Sequence, residues 1–212
     1  EGKANKIQSK CKNGFSIDPA DSTKCICPQG KYITNGKCED CASGRYTDQV
    51  DQTKCKYPGA GKRATTDKKS QTECAAGTFA ATNNVARTAC AYPAAGHYAN
   101  SSKSQTVCPA GKWASGNTTA RTSCTNASKG YYVAYAGRWY QDSCPAGKYQ
   151  DATGQVDCKF PSAGKYANSS TSQTQCAQGT WAGTNNVART ACANPDAGKY
   201  AASTAMGPVS YT

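Results

Sequence analysis

The 212-residue sequence contains no leucine. It has four isoleucines, seven valines, three phenylalanines and one methionine. That poverty excludes the shared apolar interior on which a globular domain of this length normally rests. On hydrophobic content alone the chain would be classed as disordered, since it cannot bury enough area to offset chain entropy. No apolar run is long enough to cross a bilayer as a helix. Histidine occurs once, at His97, and carboxylates are few and scattered. No nucleophile, base and orienting group are thus assembled by the sequence, which reads as non-enzymatic, with no cofactor expected. The sequence opens without methionine or a signal-peptide pattern, which leads to the expectation of a processed form or a fragment.

Fourteen cysteines reverse the disordered reading. Cysteine-dense, core-poor chains are held by disulfides and belong to oxidising compartments, so an extracellular or cell-surface setting is expected. The cysteines also reveal a tandem array. Cys74 to Cys90, CAAGTFAATNNVARTAC, returns almost letter for letter as Cys176 to Cys192, and Cys108 to Cys124 lies between them. The spacing is a 34-residue clock, the signature of stacked repeats. Each period holds two bricks of about 17 residues. One opens with Cys-x-x-Gly, a polar residue and an aromatic, as at Cys108, Gly111 and Trp113. The other follows Cys55, Cys90, Cys124, Cys158 or Cys192, with glycine six residues on and, except at Arg63, an aromatic two further. In nearly every brick Gln or Arg stands three places before the next cysteine, as at Gln71 and Arg87.

Pairing neighbours in order joins Cys11 to Cys25, Cys27 to Cys38, Cys41 to Cys55, Cys74 to Cys90, Cys108 to Cys124, Cys144 to Cys158 and Cys176 to Cys192. Sequence does not fix connectivity, but only a local scheme gives every repeat the same bonds. It leaves the second brick of each period unbridged. Metal is the rival reading. Cys25, Cys27, Cys38 and Cys41 form C-x-C-x10-C-x2-C, which resembles a thiolate zinc site. Because the Gly-Lys-Tyr and Gly-Arg-Tyr strings after Cys27 and Cys41 match the repeats, disulfides are favoured and no metal is expected.

The expected fold is small, disulfide-rich, irregular β: an elongated tandem-repeat rod of short hairpins with almost no helix. Gly, Asn, Ser and Pro forbid long helices and mark turns, as at Asn35-Gly36. Residues 1–55 read as a cysteine-dense head of three loops, 56–192 as the 34-residue repeats, and 193–212 as an incomplete further repeat. Residues 1–10 are lysine-rich and without pattern, so they are expected to fray or to contact something outside the chain.

Four sequons, at Asn100, Asn117, Asn126 and Asn168, mark candidate N-glycosylation sites. The net charge of +12 comes largely from single lysines at brick positions, such as Lys112, Lys148, Lys165 and Lys199. Such a field suits acidic glycans, anionic surfaces or nucleic acid. A solvated ladder is the preferred reading, with no nucleic-acid partner, because no nucleic-acid motif accompanies the charge. The brick at 125–143 is rich in aromatics, Tyr131, Tyr132, Tyr135, Trp139 and Tyr140. They form either a ligand-binding cluster or the ordinary packing of a longer insertion, and packing is favoured.

At the CPAGKW, CPAGKY and NNVARTAC strings the chain resembles the cysteine-periodic repeats of ciliate immobilisation (surface) antigens. It is similar also to ephrin-receptor-like cysteine-rich repeats. Both likenesses span about Cys25 to Tyr200. Those families keep C-x-x-C between bricks. Cys38 and Cys41 preserve it, whereas Cys90-Ala-Tyr-Pro lacks the second cysteine and Cys108-Pro-Ala-Gly merges two junctions. The resemblance implies a secreted coat protein, commonly lipid-anchored, so membrane association is expected only through an anchor this sequence does not contain. The expected function is a structural glycoprotein of a coat, appendage or filament. It would carry covalent glycans and associate with itself or other coat proteins. The alternative is a module binding a glycan or protein through residues 131–140.

Overall fold

The computed structural model describes residues 11–210. The lysine-rich stretch 1–10 therefore lies outside the described residues. Among those described there is no helix, and the strands form eight two-stranded antiparallel hairpins. They are β1 (Ser16–Ile17) with β2 (Cys25–Ile26), β3 (Lys31–Thr34) with β4 (Lys37–Asp40), and β5 (Lys62–Ala64) with β6 (Gln71–Glu73). Next come β7 (His97–Ser101) with β8 (Ser104–Val107), and β9 (Lys112–Trp113) with β10 (Thr125–Asn126). The last are β11 (Tyr131–Tyr132) with β12 (Asp142–Ser143), β13 (Lys165–Ser169) with β14 (Ser172–Gln175), and β15 (Lys199–Ala201) with β16 (Pro208–Ser210). This is the small disulfide-rich irregular β fold expected. The backbone falls into two compact units. One takes the chain to Pro93 with Ala99–Thr106 and Thr118–Thr122, the other Ala94–Tyr98, Val107–Asn117 and the chain from Ser123.

Seven disulfides join Cys11 to Cys25, Cys27 to Cys38, Cys41 to Cys55, Cys74 to Cys90, Cys108 to Cys124, Cys144 to Cys158 and Cys176 to Cys192. Each spans 11 to 16 residues. In the bridged bricks from Cys41 onward, the aromatic pairs antiparallel with the residue just past the closing cysteine: Tyr46 with Lys56, Phe79 with Ala91, Trp113 with Thr125, Tyr149 with Lys159, Trp181 with Ala193. Sulfur and one rung of ladder close each loop together.

The brick aromatics fill the core only in part. Tyr46 and Tyr149 are buried, but Phe79, Trp113 and Trp181 are half-buried. The buried position is the residue immediately after the aromatic slot: Thr47, Ala64, Ala80, Ala99, Ala114, Val133, Gln150, Ala167 and Ala182. Successive side chains on an extended segment point opposite ways, so one of the two must face the neighbouring brick. There the backbones of successive bricks are within hydrogen-bond distance. In the unit containing Thr47, Ala64 and Ala80, their amides donate to the carbonyls of Lys68, Arg87 and Ser102 in the brick that follows. In the other unit the amides of Ala114, Val133, Gln150, Ala167 and Ala182 donate to Arg138, Gln155, Ser170, Arg189 and Thr204. Each of these bricks is thus sewn to the next by backbone bonds.

Candidate functional site

No residue of the unbridged bricks is tied by sulfur within its own brick, yet three of these bricks are closed by a glutamine side chain. Gln71 accepts the amide of Gly59 at 2.9 Å, Gln141 that of Ser128 at 2.7 Å, and Gln173 that of Ser162 at 2.9 Å. The glutamine three places before the cysteine therefore ties the end of an unbridged brick to its beginning. Arginine at the same position of bridged bricks does a related task. Arg87 donates to the carbonyls of Gly59 and Lys62 at 3.1 and 3.2 Å and to that of Thr82. Arg189 reaches the carbonyls of Lys165 and Thr184. Sequence reasoning saw the periodic Gln and Arg but not their partners, which are backbone groups without a sequence mark.

All four sequon asparagines are exposed. Asn100 lies on β7 and Asn168 on β13, and their carbonyls accept the hydroxyls of Ser104 and Ser172 at 2.7 and 2.9 Å. Asn126 lies on β10 and Asn117 in the loop after β9. The third sequon residues Ser102 and Ser170 have a packing duty too, since their Oγ atoms sit against Gly61 and Gly130.

The aromatic brick stands out by exposure. Tyr135 is 72% and Trp139 58% accessible, Tyr131 is exposed, and Tyr132 and Tyr140 are half-buried. Its loop is anchored by backbone: the Gly137 amide donates to Cys108 at 2.9 Å, and Arg138 accepts from Ala114. Trp139 and Tyr140 meet edge to face at 4.9 Å. The Arg138 guanidinium lies 4.3 Å from the Tyr140 ring centre and 2.9 Å from Asp142. That carboxylate holds the guanidinium even more firmly protonated than usual. Trp139, Tyr140 and the Arg138 charge are thereby held together on a short loop.

The remaining candidates are placed as follows. Cys25, Cys27, Cys38 and Cys41 belong to three different disulfides, and among the described residues no cysteine is free and no three potential metal ligands cluster. Lys148 lies 4.1 Å over the Phe160 ring, and Lys199 pairs with Asp196 at 3.7 Å, so part of the lysine ladder is engaged locally. Ring Nδ1 of His97 is 3.0 Å from the Ala95 carbonyl. Among the described residues no helix is long and apolar enough to cross a membrane. No protein-family model matches the chain, and no curated protein matches it significantly.

Proposed function

We propose that the chain is a non-enzymatic extracellular structural glycoprotein, part of a cell-surface coat, appendage or filament. What carries the reading is the closure of each bridged brick by its own disulfide, a construction that keeps its shape without an apolar interior and requires an oxidising environment. The exposed asparagines at positions 100, 117, 126 and 168 support a coat of sugar. The rod expected from the 34-residue period belongs to this reading and rests on the sequence alone. Secretion from a glycosylating cell, followed by intact mass before and after amidase release of N-glycans, tests it. Sugar on these asparagines is the expected result, and a bare chain would remove the glycoprotein part of the reading.

One observation favours a second reading, a module that binds a glycan or protein ligand. Tyr135 and Trp139 are exposed to solvent in a brick whose backbone is bonded to the bricks on both sides. A glycan array would show selective binding, lost in Trp139→Ala, if this is the working surface, and none if the aromatics only pack.

A further inference from the structure

Arg45 belongs to the bridged brick Cys41 to Cys55, and its guanidinium lies 4.2 Å from the ring centre of Tyr57. It also donates to the Tyr57 hydroxyl. One of its five N–H groups is used there, so the guanidinium is held in place with donors to spare. Among the described residues neither Arg45 nor Lys54 meets a carboxylate. Both carboxylates of that brick are engaged elsewhere, Asp48 with Lys56 at 2.6 Å and Asp51 with the Cys27 amide at 2.7 Å. The two cations line a cleft of about 280 Å³ together with Tyr32, Thr53 and Tyr57, and among the described residues no acidic side chain lines it. Thr53, Lys54 and Tyr57 are exposed, so the cleft is open to solvent.

The chain contains its own control. The bridged brick Cys144 to Cys158 has the same length, and its Cys144 amide donates to Gly130 as the Cys41 amide donates to Gly30. It repeats the framework: Tyr149 stands for Tyr46, the Asp151–Lys159 pair for Asp48–Lys56, and Lys148 over the Phe160 ring at 4.1 Å for Arg45 over Tyr57. It does not repeat the polar groups of the cleft. Val156 replaces Thr53, Asp157 replaces Lys54 and Phe160 replaces Tyr57, and the Asp157 carboxylate accepts the Cys158 amide at 2.7 Å. The brick therefore folds without the hydroxyl, the ammonium or the phenol, and these groups are available to a ligand.

We propose that this cleft binds one acidic unit of a saccharide, its carboxylate or sulfate ester held by Arg45 and Lys54 and its ring lodged against Tyr32 and Tyr57. A guanidinium presents parallel donors that match the paired oxygens of such an anion, and the lysine adds a second charge. A neutral sugar would desolvate two cations without giving them a partner. A bare anion would leave the tyrosine walls unused. The volume lies near the lower limit for small-molecule sites and suits a single ring. The site shares no residue with the 131–140 loop and does not depend on the coat reading.

The full chain is titrated by calorimetry with a galacturonate trisaccharide, with the neutral methyl ester of the same trisaccharide, and with a sulfated galactose trisaccharide. Thr53→Val with Lys54→Asp installs what the second brick already carries in the same framework, so the bridges are expected to form, and peptide mapping checks them. Arg45→Ala removes the guanidinium. Lys112→Asp, at an exposed position outside the cleft, makes the same change in net charge as Lys54→Asp. At least one acidic trisaccharide is expected to bind, about ten-fold or more weaker in the double variant and in Arg45→Ala, and unchanged in Lys112→Asp. Preference between the two acidic probes identifies the anion. Binding of neither overturns the proposal, as does equal binding of the methyl ester or full affinity in the cleft variants. Equal weakening by Lys112→Asp also overturns it, since net charge alone would then account for the binding.

Discussion

Gln71 sits in a brick with no disulfide of its own and closes it through one bond to the amide of Gly59. Replacing it by alanine strands a partly buried N–H, and Gln71→Ala is expected to lower unfolding free energy by about 1 kcal/mol. Chemical denaturation under oxidising conditions measures this. A glycine gives a sharper residue-scale case. A Cβ on Gly77 would lie 2.5 Å from the Arg121 amide nitrogen, at φ +80°, whereas Gly116 has φ +68° and open space around it. Both alanine variants meet the left-handed strain of roughly 1–2 kcal/mol, but only Gly77→Ala must also push backbone aside. Gly77→Ala is therefore expected to be the more destabilising of the two, and equal losses would refute the close approach. At this scale the sequence was half legible. Glycine, aromatic and glutamine recur visibly, but the buried slot is filled by Ala, Thr, Val and Gln, which share nothing except following the aromatic position. Burial there is set by backbone proximity, which composition does not record.

Among the elements, two of the three bridged loops whose cysteines stand 14 apart, Cys41 to Cys55 and Cys144 to Cys158, carry the same ion pair. Asp48 meets Lys56 at 2.6 Å and Asp151 meets Lys159 at 2.5 Å. The lysine ammonium, donating directly, holds the Asp48 carboxyl below its ordinary range and is itself held above the ordinary lysine value. A depressed carboxylate stabilises the fold above its unfolded value and loses that contribution as pH falls through the folded one. A raised lysine acts in the opposite sense, losing its contribution as pH rises through its folded value. The pair is therefore intact at neutral pH. Asp48→Asn is expected to be slightly less stable than the parent there, by the small margin an exposed pair supplies. That difference should shrink below about pH 4 and vanish at lower pH. A constant gap in urea melts from pH 7 to 2 would show that the pair plays no part. Short hairpins and the absence of helix were readable at this scale, because glycine and asparagine mark the turns and no apolar stripe exists to support a helix. The exposure of Trp139 and Tyr135 was not. Packing was the favoured reading of that brick, yet Gly137 and the loop's backbone make the contacts to neighbouring bricks, and these two rings are left outside.

For the molecule as a whole, the question is what replaces the missing aliphatic interior. The buried side chains are largely cysteine and alanine, with three fully buried prolines, Pro58, Pro93 and Pro161. Alanine contributes little apolar area, so closure of each loop must supply much of the order, at about 3 kcal/mol for a loop of some 15 residues. Local bridging is therefore the claim on which the fold, the oxidising setting and the coat reading all depend. Proteolysis of the secreted chain without reduction, followed by mass spectrometry of the linked peptides, tests it most directly. The account predicts seven bridged pairs, each joining cysteines 11 to 16 positions apart and none crossing from one brick to a distant one. Free thiols, or peptides linked across distant bricks, would contradict it.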